Sequence, residues 1–154
     1  MLIDELTETV IGCGITVHRK FGPGLLESVY DECMVIELVA NDLIVEVEKR
    51  VPLIYREQQL RNDLKLDLCV EGRLIVEIKA VERLHPVHEA QLITYLKLTG
   101  CPAGLLLNFN ATSLTAGLRR LDRPDIYAEK KKARLAAIEE RRQRARSAFS
   151  KKPV

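Results

Sequence analysis

The sequence has no run of 18 apolar residues, which excludes a membrane-spanning helix. It has no paired cysteines either. Cys13, Cys33, Cys69 and Cys101 lie far apart, none forms a CxxC pair, and none has a histidine at zinc spacing. Buried, reduced thiols are therefore expected, not a zinc site. No internal repeat is visible. The opening MLIDELTETV carries acids and lacks the basic-then-apolar order of a signal peptide, so a cytoplasmic location is the expectation. Charge of one sign is also scarce, since the net charge is only +2.

That small net charge hides an asymmetry. From Asp122 onward there are 11 basic and 5 acidic residues, against 13 and 17 before it. A weakly acidic body with a basic tail differs from a domain covered in positive charge. It suits a carboxylate cluster in the body and a tail able to touch phosphates. The length, 154 residues with nearly half of them apolar, allows one domain with a real core. The expected organisation is a domain over residues 1–121 and a basic helical or disordered tail over 122–154.

Residues 5–21 have Val10, Ile11, Ile15 and Val17 at mostly helical spacing. FGPG at 21–24 ends that helix and sets up a second, from about Leu25 to Asn41. Residues 44–55 alternate and are rich in β-branched types, with Pro52 marking a bend or an edge. Residues 60–70 place Leu64, Leu66, Leu68 and Val70 on one face and Asp63, Lys65, Asp67 and Cys69 on the other. A strand over 73–80 follows Glu71-Gly72, and a helix over 87–99 is closed by Gly100 and Pro102. AGLLLNF, 103–109, reads as a strand covered on both faces. Residues 113–121 read as a short helix. The order α-α-β-β-β-α-β-α makes a mixed α/β fold, with a basic C-terminal helix or tail.

The strand 73–80 carries a puzzle, because Glu77 and Lys79 point to one side of it, about 7 Å apart, while Val76 and Ile78 point to the other. Asp67 joins them or not according to the turn. A two-residue Glu71-Gly72 loop pairs Asp67 with Val76 and sends Glu77 to the opposite face. A three-residue loop containing Gly72 pairs Asp67 with Glu77, directly or diagonally, with the carboxylates about 5–8 Å apart. Two carboxylates that close repel unless a cation stands between them, and oxygen ligands suit Mg2+ or Mn2+. Such an ion on Asp67 and Glu77 would polarise a phosphodiester, with Lys79 stabilising the charge that builds there. On spacing alone, an exposed surface ion pair is the favoured reading.

The spacing does not stand alone. Asp67 followed by Glu77-Ile78-Lys79 resembles the D…ExK core of the PD-(D/E)xK nuclease superfamily. Gly24-Leu-Leu-Glu27-Ser-Val-Tyr30 resembles the GxxExxY signature of a small bacterial family placed in it, and PVHEAQLITYLKLTG and LLLNFN look like that family too. The resemblance covers roughly residues 5–121. It implies a restriction-endonuclease-like core, a mixed sheet flanked by helices. It also implies a metal-dependent nuclease using Mg2+ or Mn2+, with nucleic acid, DNA foremost, as partner and no membrane. A homodimer is an option it leaves open. By the same resemblance the catalytic residues are Lys79, Glu77, Asp67 and Glu27. The metal ligands are Asp67, Glu77, the Ile78 carbonyl and Glu27. Gln91 and Tyr95 match a QxxxY pattern found in one branch of these nucleases and, with Tyr30 and His88, would contact substrate or support the site. Two rival readings are a non-catalytic nucleic-acid or protein binding module and a small-phosphoester hydrolase.

Overall fold

In the computed structural model, residues 1–151 are described, and they divide into two compact units, Met1–Arg123 and the segment from Pro124 onward. Helix α1, Ile3–Phe21, buries Leu6, Val10, Cys13 and Val17, spaced by three and four residues along one stripe. Asp4 and Glu5 in its first turn and Arg19 and Lys20 in its last complement the helix dipole. It stops at Gly22, whose φ of 64° lies in the left-handed region open to glycine. Helix α2, Glu27–Ala40, buries Tyr30, Met34 and Leu38, each one turn apart, and ends at Asn41.

Five strands follow: β1 Val45–Tyr55, β2 Gln58–Val70, β3 Leu74–Lys79, β4 Ala103–Asn108 and β5 Leu118–Asp122. Helix α3, Pro86–Thr99, lies between β3 and β4. The sheet order is β1-β2-β3-β4-β5, with β3 and β4 parallel and the other neighbours antiparallel. The parallel pair needs a crossover, and α3 supplies it.

Helices cover both faces. Leu68, Val70, Leu74, Val76, Ile78, Leu105 and Leu107 pack with α1 and α2. Leu66, Cys69, Ile75 and Leu106 pack with Leu92, Tyr95 and Leu96 of α3. All six residues of β4 are buried, as expected for a strand shielded on both sides.

Two departures from the sequence reading have physical causes. The alternation of β2 breaks at Asp67: Leu68 and Val70 pack on the α1–α2 side, but Leu64 and Leu66 on the α3 side. The ladder keeps one register from Val47–Leu68 to Lys49–Leu66, and Glu48, the β1 residue opposite Asp67, takes a left-handed φ of 50°. Second, the helix expected over 113–121 shrinks to one 3-10 turn, Thr115–Gly117. It is followed by β5, which pairs Leu107 with Leu118 through Ala103 with Asp122 and satisfies the outer edge of β4. Pro52 behaves as its sequence position suggests: β1 is the edge strand, and its pairing shifts register between Pro52 and Ile54, where proline cannot donate.

The second unit is helix α4, Pro124–Ser150, which buries none of its residues. Among the described residues no helix is long and apolar enough to cross a membrane.

Candidate active site

The site grows from a turn. Glu71 and Gly72 both adopt left-handed φ, 54° and 63°, and Val70 pairs with Leu74. The hairpin loop therefore holds three residues, and its register brings Asp67 opposite Glu77. The backbone ladder ends one pair earlier, at Leu68–Val76. Beyond it, side chains take over from the backbone. The Ile78 N–H donates to Asp67 Oδ2 at 2.9 Å, and the Asp67 N–H donates to Glu77 Oε1 at 3.2 Å. The two acids thus fill a split between β2 and β3, just where β2 turns over.

Glu77 is not on a surface face: it is 5% exposed. Burial pushes its carboxyl up to about 8, and the neighbouring Asp67 charge adds to the effect. The Asp67 N–H and the Lys79 ammonium pull the other way. Two acids this close share a proton or take a cation. Lys79, half-buried at the end of β3, acts on Glu77, on His88 and on a further acid, Asp31. The backbone of Ile78 also faces the split. The Lys79 carbonyl accepts from the Phe109 N–H on the β4 side. Backbone groups alternate sides along a strand, so Ile78 turns its carbonyl, like its N–H, toward β2 and Asp67.

Glu27 opens α2, and its negative charge suits the positive end of that helix. That charge reaches Asp31 and His88. Tyr95 is buried on α3, and burial together with the Glu77 and Asp67 charges raises its hydroxyl pKa. Gln91, one turn earlier, is exposed. His88 serves its own helix: its Nδ1 accepts the His85 N–H at 3.0 Å. Burial and the Lys79 charge lower its pKa. Tyr30 is fully buried, stacked on Phe109 at 4.6 Å. Its hydroxyl donates to the Gly22 carbonyl at 2.6 Å and accepts the Leu25 N–H at 3.1 Å. It fastens the FGPG loop that delivers Glu27.

Asp31 was not among the residues the sequence singled out. It stands one turn after Glu27, and burial with the Asp67 charge pushes its carboxyl up to about 7. Its Oδ1 is sealed from solvent and has no hydrogen-bond partner. With Glu48 and Asp67 it lines a groove of about 870 Å³ between α2 and the β1–β2 hairpin. The signal was available: acids at i and i+4 share a helical face.

Oxygen donors, two acids converging in the split and an orphaned buried carboxylate oxygen fit a hard divalent cation. Among the described residues no three His, Cys, Asp or Glu side chains already stand at ligand separation, so a cation has to draw some of them in. A family model described as the PD-(D/E)XK nuclease superfamily matches residues 4–121. No curated protein and no solved structure gives a match.

Proposed function

The chain belongs to the PD-(D/E)XK nuclease superfamily, and from that premise we propose that it is a metal-dependent nuclease that hydrolyses phosphodiester bonds in DNA. The observation that carries this reading is the hairpin register, which sets Asp67 against Glu77 two residues before Lys79. The GxxExxY run from Gly24 to Tyr30 supports placing the chain in that branch of the superfamily.

When bound, Mg2+ or Mn2+ supplies Lewis acidity toward the phosphate and makes a water more acidic. Asp67 and Glu77 would hold the ion, with the Ile78 carbonyl and Glu27 in support. Lys79 orients the attacking water and stabilises the negative charge that builds on the phosphate. Tyr95, buried on α3, supports the site from that helix, and Gln91, exposed one turn away, is available to the substrate. The low-dielectric wall around Glu77 strengthens each of these interactions.

The test is a panel of single- and double-stranded DNA and RNA with Mg2+ or Mn2+. DNA cleavage is expected, and Lys79→Ala should lower it by about 10²–10³-fold, the scale for removing one group that stabilises transition-state charge. Equal cleavage by the variant would point to a contaminant, and preferential cleavage of RNA would overturn the choice of DNA.

A further inference from the structure

We propose that Asp31 is the carboxylate of α2 that ligates the divalent cation, ahead of Glu27, the acid of the GxxExxY run. The inference rests on the metal-dependent reading above and deepens it.

Among the described residues, Asp31 Oδ1 is the one buried side-chain nitrogen or oxygen with no hydrogen-bond partner. A sealed carboxylate oxygen without a donor is a liability to the fold, and a cation is the partner that removes it. Protein cations do not already fill that role. The Lys79 ammonium is the weakest of the charges acting on Asp31. Position agrees with chemistry. Asp31 and Asp67 line the same groove, whereas Glu27 does not. The Asp67 charge acts on Asp31 more strongly than that of Glu27, its own neighbour one turn away. The Glu27 charge acts on His88, at the start of α3, as well. Asp67 is therefore flanked by Glu77 across the split and by Asp31 across the groove. An ion on Asp67 would find the Asp31 carboxylate of α2 on the wall of the same groove. Tyr30, Met34 and Leu38, all fully buried, hold the helix that carries it.

The test reads binding, not cleavage. The full chain, Asp31→Asn and Glu27→Gln are titrated with Mn2+ by calorimetry, and bound Mn2+ is followed by electron paramagnetic resonance. Asp31→Asn should weaken Mn2+ binding by about 10–100-fold, and Glu27→Gln by less than about threefold, on the scale set by partners of metal ligands. Asparagine keeps the shape and removes the unpaired charge, so the metal-free melting temperature of Asp31→Asn should equal or exceed that of the parent chain. That result confirms a folded variant. Parent-like Mn2+ affinity in Asp31→Asn, or a larger loss in Glu27→Gln, overturns the assignment and leaves the nuclease reading standing. A parent chain that binds no Mn2+ overturns both.

Discussion

Replacing Glu77 by glutamine should make the metal-free protein more stable and the nuclease inactive. Burial and the Asp67 charge raise the folded-state carboxyl from its ordinary 4.5 to about 8. The folded chain therefore holds this proton more tightly than the unfolded chain does. Between about pH 4.5 and pH 8, unfolding releases it, so stability falls as pH rises through that window. At about 1.4 kcal/mol for each tenfold change, the full displacement would correspond to roughly 5 kcal/mol. Asp67 shares the proton, and relaxation of the split lowers the cost, so about 2 kcal/mol at pH 8.5 is expected. Glutamine is nearly isosteric, cannot ionise, and can still accept the Asp67 N–H through its amide oxygen. Urea unfolding with a chelator present at pH 5, 7 and 8.5 measures the effect. The two proteins should match at pH 5. At pH 8.5 the variant should be ahead by about 2 kcal/mol, or roughly 4–8 °C in melting temperature for a chain of this size. Adding Mg2+ at pH 8.5 should stabilise the parent and leave the variant unchanged. Parallel pH profiles, or a variant less stable at pH 8.5, would refute the buried like-charge argument.

Two further expectations concern parts away from the acids. Tyr30→Phe removes the hydroxyl that links the Gly22 carbonyl to the Leu25 N–H, and should cost about 1–2 kcal/mol in urea unfolding. A variant as stable as the parent would show that the loop is held by other contacts. Truncation after Arg123 removes α4 and all of the excess basic charge, turning a net +2 into −4. The slope of log binding constant for DNA against log salt should then fall in magnitude by about 2–4. An unchanged slope would mean that the helix touches no phosphates.

Much of the fold was legible because local chemistry and long-range packing agree there. FGPG breaks the first two helices apart since glycine alone is at ease with the φ of 64° at Gly22. Pro52 marks an edge because it cannot donate to a ladder. AGLLLNF reads as doubly covered because no polar face interrupts it up to Asn108. The last strand was misread as a helix because the Leu and Arg residues of LRRLD are good helix formers, so local propensity points away from the answer. The open edge of β4 decides it. Asp31 escaped notice because, read along the chain, an acid on a helix looks like any solvated one. Only the groove and the sealed Oδ1 set it apart.

The chain on its own determined the succession of elements, the presence of an acid–apolar–lysine triplet on a core strand, and the residue types able to hold a hard cation. These depend on periodicity, on backbone restrictions and on donor chemistry, all of which are local. The tertiary structure decided whether the acids meet. Glu71 and Gly72 in left-handed conformations select the three-residue turn, and one residue fewer would send Glu77 to the opposite face from Asp67. It also decided that β2 turns over at Asp67, opposite the left-handed Glu48, so that one carboxylate faces both Glu77 and Asp31. Side chains from α2, β2 and β3 are remote in the chain, and only packing brings their charges close enough to act on one another.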